Sequence, residues 1–162
     1  MEKRKLGNIP KAVISIVSCL AAGGIGSVFT TPAIPTWYAS LQKPPFTPPS
    51  WLFGPAWTAL YVLMGVAAFL VWRRGLAGRE VRIALIVFLV QLILNAVWSP
   101  VFFGLQSPLS GLVIIAALWI AILLTIVRFW RISTAAGALL IPYIGWVSFA
   151  TALNAAIWVL NP

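Results

Sequence analysis

The sequence predicts an all-α integral membrane protein, a five-transmembrane-helix bundle with its N-terminus inside and its C-terminus outside. Composition is the first observation behind this. Of the 162 residues, 62% are hydrophobic and only 8% charged, where a soluble domain is about half apolar and about a quarter charged. The second is the length of the apolar runs, each sufficient to span a hydrocarbon core about 30 Å thick. The third is the placement of positive charge. Every basic residue except Lys43 falls before the first run or at the borders of the second or fourth connection, and that asymmetry orients the chain by the positive-inside rule.

The spans are read at 12–31, 51–72, 82–104, 109–130 and 135–160, as one transmembrane domain over residues 1–162. All are helices, because backbone polar groups have no water to bond inside a bilayer. Ala12–Phe29 follows a basic start but is long for a signal peptide and lacks a small-x-small cleavage pattern, so it is read as a retained helix. Brief turns at Arg73–Val81, Leu105–Pro108 and Arg131–Thr134 make the later neighbours antiparallel. The first connection, 32–50, differs. It holds Pro32, Pro35, Pro44, Pro45, Pro48 and Pro49 with Trp37, Tyr38 and Phe46 among them. Proline fixes φ and removes donors, so the segment reads as a stiff outer lid, with one helical turn at Trp37–Leu41.

Several kinds of chemistry are excluded. There is no histidine, and the only acids are Glu2 and Glu80, both outside the spans. An intramembrane proton relay, a Ser-His-Asp hydrolase and a metal site all need groups this chain lacks, and no cofactor is expected. A single cysteine, Cys19, permits no intrachain disulfide and reads as a small packing residue. The net charge of +9 is explained by topology, not by nucleic acid.

What remains is nine tryptophans and amides inside apolar helices. Trp37, Trp51, Trp72, Trp130 and Trp158 lie near span ends and read as interfacial anchors. Trp57, Trp98, Trp119 and Trp146 lie deeper, where an indole N–H needs a partner. Gln91, Asn95, Trp98 and Phe102 share one side of the third span. Tyr143, Trp146, Ala150 and Asn154 do so on the fifth, and Trp57, Tyr61, Met64 and Ala68 on the second. An amide facing lipid is costly, so these faces are expected to point inward, either bonding helices together or lining a pocket. Pro55, Pro100 and Pro142 interrupt the same three spans. Gly23, Gly24 and Gly26 permit close approach by the first span, and Ala117-xxx-Ala121 on the fourth is a small-xxx-small motif suited to association between subunits.

These residues carry a resemblance. Trp37-Tyr38-x-x-Leu41-x-Lys43-Pro44-x-Phe46-x-Pro48-Pro49-x-Trp51-x-Phe53 and Trp57-x-x-Leu60-Tyr61-x-x-Met64-Gly65 are similar to the signature of the tryptophan-rich sensory protein or translocator protein (TspO) family. Gln91-x-x-Leu94-Asn95-x-x-Trp98-Ser99-Pro100-x-Phe102-Phe103 and Pro142-Tyr143-x-x-Trp146-x-x-Phe149-Ala150-x-x-Leu153-Asn154 extend it over residues 15–158. The resemblance implies a five-helix bundle, usually a homodimer, with a pocket under the first loop that takes protoporphyrin IX and synthetic flat ligands. By motif position Tyr38, Trp57, Asn95, Trp98 and Trp146 are implied pocket residues, and Ala150 tunes affinity. Trp57 and Trp146 match the tryptophans implicated in porphyrin breakdown. The animal members' sterol segment has no counterpart in Ala155–Pro162, which lacks tyrosine and cations, so a dedicated sterol translocator is not expected.

The expected function is a receptor or sensor in the cell membrane that binds tetrapyrroles in an aromatic pocket. Its ligand-binding residues are expected to be Tyr38, Lys43, Trp57, Tyr61, Asn95, Trp98, Tyr143, Trp146, Ala150 and Asn154. Lys43, the one cation on the outer side, is assigned to a porphyrin carboxylate. The alternatives are a light- and oxygen-dependent porphyrin-degrading enzyme using Trp57 and Trp146, and a transporter of porphyrins or other lipophilic molecules. A missing intramembrane charge and a missing internal repeat argue against coupled transport.

Overall fold

The computed structural model describes residues 7–162, which leaves Glu2, Lys3, Arg4 and Lys5 of the charge pattern outside the described residues. The chain is all-helical there, and five helices are long and apolar enough to cross a membrane. They are α1 (Asn8–Ala33), α3 (Phe53–Trp72), α4 (Arg79–Ser99), α5 (Pro108–Ile132) and a fifth span divided into α6 (Thr134–Ala138) and α7 (Ile141–Leu160). The lid carries the expected single turn as α2 (Trp37–Ser40), and a 3₁₀ turn (Ser50–Leu52) leads into α3.

The helices close into a ring. α1 packs along α3 and α4, α5 packs along α4 and α7, and α3 meets the fifth span chiefly through α6. Contact between α3 and α7 is sparse. The bundle is therefore tight at the end carrying the arginines and splayed at the end carrying the lid. At the tight end, Gly65 brings α3 against α1 so closely that a Cβ there would lie 2.5 Å from the Ile16 Cα. Phe88 and Phe129 stack between α4 and α5 at 5.6 Å, and Cys19 is fully buried as a packing residue.

Three expectations gain detail. Pro100 and Pro142 interrupt the third and fifth spans as expected, at the places where the helix changes character, whereas Pro55 lies in the first turn of α3 and interrupts nothing. Pro55 is the third residue of α3, Pro142 sits in the first turn of α7, and Pro100 opens a five-residue π turn, Pro100–Gly104. Proline is tolerated at these places because the missing N–H would have no helical partner or the ladder is already changing register. The π turn, closed by Leu105 N–H donating to the Pro100 carbonyl at 2.9 Å, turns the consecutive Phe102 and Phe103 both inward. Secondly, Trp37, near its span end, is half-buried. Its indole packs edge-on to Phe102 at 5.5 Å, which ties the lid to the end of α4. Thirdly, Ala117 is exposed while Ala121 is buried inside the same chain, so this pair does not form one free face for a second subunit.

The candidate functional site

The splayed end encloses a cavity of about 570 Å³ beneath the lid, within the usual range of about 300–1,000 Å³ for a small-molecule site. Its walls come from every span. Trp57 and Tyr61 on α3, Asn95 and Trp98 on α4, and Trp146, Ala150 and Asn154 on α7 line it, with Tyr38 closing the top from the lid. Ile115 and Leu118 of α5 form part of the floor. No lining residue is charged.

Position on these helices follows from spacing. Residues three and four apart share a helix face, which is why Asn95, Trp98 and Phe102 line one wall and Trp146, Ala150 and Asn154 the facing one. The polar groups on those faces are bonded rather than idle. Tyr61 Oη donates to Asn95 Oδ1 at 2.5 Å, Asn95 Nδ2 donates to Tyr143 Oη at 2.8 Å, and Tyr143 Oη donates to Gln91 Oε1 at 2.8 Å. This relay crosses from α3 through α4 to α7 and back. It satisfies four side chains that would each be costly to leave unpaired in an apolar bundle. Higher up, Trp98 Nε1 donates to Asn154 Oδ1 at 3.3 Å, and Asn154 Nδ2 donates to the Pro108 carbonyl at 2.7 Å.

Aromatic rings line the space above the relay. Trp57 stacks on Tyr61 at 5.6 Å and Trp98 on Phe102 at 5.1 Å. Phe53 stands edge-on to Trp146 at 6.2 Å. Trp146 Nε1 is the one buried side-chain donor without a partner among the described residues. Its neighbour in kind, Trp119, is satisfied by Ser148 Oγ at 2.8 Å and holds α5 to α7.

Two of the ten expected ligand-binding residues stand elsewhere. Tyr143 is fully buried below the cavity, inside the relay. Lys43 belongs to the lid's own scaffold. Its Nζ donates to the Ala39 and Leu41 carbonyls at 3.2 and 3.1 Å and lies 5.0 Å from the Tyr38 ring centroid. Burial pushes the Tyr38 phenol above the ordinary tyrosine value, so it stays protonated at neutral pH. A reciprocal pair fastens the same lid to the end of α7: Gln42 N–H donates to Asn161 Oδ1, and Asn161 Nδ2 donates to the Gln42 carbonyl, both at 2.9 Å.

Residue-type reasoning overlooked the α1 wall. Leu20, Gly23, Ser27 and Thr30 line the cavity at spacings of 3, 4 and 3, a helical stripe of mostly small and hydroxyl residues. The glycines were expected only to bring helices together, and Gly23 and Gly26 do so, against Tyr61 and Ser99. Gly24 does not. An added Cβ there, or at Gly54 across the seam on α3, would meet nothing within 4 Å. Both line the cavity and are exposed, as are Ser27 and Thr58. The α1–α3 seam is closed at Gly65 and looser beside Gly24 and Gly54.

Comparison with known proteins agrees with this architecture. The chain matches the TspO/MBR family over residues 15–159. It is 53% identical over 154 residues to the tryptophan-rich protein TspO of Archaeoglobus fulgidus, covering 95% of this chain and 99% of that one. It is 38% identical to protein CrtK of Rhodobacter capsulatus, covering 92% and 91%. To the human translocator protein it is 38% identical over 136 residues, covering 83% and 80%. Five apolar spans, an aromatic cavity under a proline-rich lid and this similarity over nearly the whole length agree: the chain is a multi-pass membrane protein of the TspO/MBR family.

Proposed function

We propose that the protein is a receptor for flat, lipophilic tetrapyrroles such as protoporphyrin IX, held in the cavity beneath the lid. The observation that carries this is a wholly uncharged cavity of about 570 Å³ with the rings of Trp57, Trp98 and Trp146 on its walls. Indole faces stack on a planar macrocycle, and a few fixed polar groups orient it. The unpartnered Trp146 N–H supplies one donor that a ligand acceptor can satisfy after a small rotation of the indole. Charged substituents are excluded by the apolar walls and project through the lid end or the looser part of the α1–α3 seam. That seam also offers a lipophilic ligand a route from the acyl chains. Lys43 acts in this reading by holding Tyr38 and the α2 carbonyls in place. The lid faces the outside of a cell membrane, and the protein works as a homodimer whose interface uses a surface other than Ala121.

Titrating the purified protein with protoporphyrin IX should quench tryptophan fluorescence saturably. Replacing Trp57 and Trp146 together by phenylalanine keeps rings but removes indole area and the free donor, and should weaken binding about tenfold. Unsaturable quenching equal to that of free tryptophan in the same detergent would count against a tetrapyrrole site.

A second reading, degradation of the bound porphyrin, is favoured by one contact. Trp57 lines the cavity and stacks on Tyr61, which places two oxidisable rings in series beside the ligand. Light would supply the energy and molecular oxygen the oxidant. Irradiated complex should then lose porphyrin absorbance faster than porphyrin in empty micelles, with the gain absent in the double phenylalanine variant. Equal bleaching in the presence and absence of protein would remove this reading and leave the receptor intact.

A further inference from the structure

A second cavity, of about 430 Å³, lies at the arginine-bearing end, between α1, the end of α3 and the start of α4. It is separate from the aromatic site in both position and character. Its walls are almost entirely apolar, and along α4 they run from Arg82 to Leu92. Ten residues of helix make that wall about 15 Å long. The slot opens sideways between α1 and α4, because Ile14, Ile86 and Leu89 line it and are also exposed to the extent of 44%, 59% and 53%.

Charge marks one end of this slot. Arg82 is itself a lining residue, and Ile86 and Leu89 follow it at spacings of 4 and 3, on one stripe of α4. On α1, Lys11 precedes Ile14 and Ser18 at spacings of 3 and 4, so it occupies the equivalent place at the start of the facing wall. Both helices run in the same direction from the basic end, and Trp72 and Leu76 close the slot near the α3–α4 connection. No acidic residue lines it. An elongated apolar slot, open to the acyl-chain region and carrying cations only at its interfacial end, has the form of one ligand class.

We propose that this slot is a binding site for an anionic phospholipid. One acyl chain lies along α4 between Ile14, Ser18, Ile86 and Leu89, and the phosphodiester is held by Arg82 and Lys11. Topology alone requires only that cations be somewhere near this end. It does not require an apolar slot leading away from one of them.

The test uses the full chain purified in detergent and supplied with equimolar phosphatidylglycerol and phosphatidylcholine of identical acyl chains, with retained lipid counted by native mass spectrometry. Phosphatidylglycerol should be retained preferentially. The exposed-end pair K11Q/R82Q should lower its retention about tenfold or more while leaving phosphatidylcholine unchanged, and R82K should keep most of it. R128Q/R131Q, at the other basic connection, should leave the preference intact. Ser18→Phe, which fills an exposed part of the slot, should reduce retention of both lipids with every charge still present. Soluble glycerol phosphate should not compete. The proposal is overturned if K11Q/R82Q retains the preference, if R128Q/R131Q loses it equally, or if glycerol phosphate displaces the lipid. An unchanged thermal transition in each variant separates these outcomes from misfolding.

Discussion

Replacing Gly65 by alanine is expected to destabilise the protein by about 3 kcal/mol. The added Cβ would lie 2.5 Å from the Ile16 Cα and 3.0 Å from its nitrogen. These are backbone atoms, so no rotamer change relieves the overlap. α1 must move away from α3, and the contacts on both sides of the seam loosen with it. Gly24→Ala is the matched control, since its Cβ would meet nothing and alanine is the better helix former. Unfolding by increasing SDS in mixed micelles, followed by tryptophan emission, should show Gly65→Ala unfolding far earlier than the parent and Gly24→Ala no earlier. Equal midpoints for the parent and Gly65→Ala would show that the α1–α3 seam is not the tight contact described.

Asn95→Leu should have the next largest consequence, and it reaches the cavity as well as stability. The leucine removes the acceptor of Tyr61 Oη and the donor to Tyr143 Oη. A buried phenol stripped of its partner costs about 1–3 kcal/mol, and measured hydrogen bonds between membrane helices fall toward the lower part of that range. Destabilisation of about 2 kcal/mol is expected. Tyr61 then loses its fixed position under Trp57, so protoporphyrin binding should weaken even after correction for unfolded protein. Gln91, two links away, keeps the Tyr143 hydroxyl as its donor, so Gln91→Leu should affect stability with less effect on binding. The same SDS titration and the quenching titration read the two quantities separately. A stable Asn95→Leu with full affinity would mean that the relay neither braces the helices nor positions the ring.

The contrast between these two sites shows what was readable from residue order. The spans and their inward faces were legible because tryptophan, tyrosine and amide residues in an apolar helix have few places to go, and their spacing names the face. Asn95, Trp98, Trp146 and Asn154 all line the cavity as that logic requires. The α1 wall was not legible, because Gly24 and Ser27 are small enough for lipid contact, helix contact or open space. The division of the fifth span at Leu139 and Leu140 was obscured for a related reason, since Pro142 is compatible with both a kinked helix and a new first turn. Lys43 shows the opposite difficulty. A lone cation on a rim suggests an anionic ligand, yet backbone carbonyls two and four residues before it were nearer. Only three-dimensional placement distinguishes such uses, because carbonyls are present at every residue and carry no mark in the sequence.

The uncharged cavity has an electrical consequence. Moving one elementary charge through the full membrane field involves about 2.3 kcal/mol per 100 mV, and this cavity brings no charge of its own into that field. Filling or emptying the cavity with a neutral molecule adds no charge to that field at the cavity itself. In proteoliposomes, the binding isotherm of a neutral flat ligand should therefore be the same with and without an imposed potential of about 100 mV. A shifted isotherm would reveal a charged group moving with the lid. In a cell, occupancy of this cavity by a neutral ligand would follow that ligand's concentration independently of how strongly the membrane is energised.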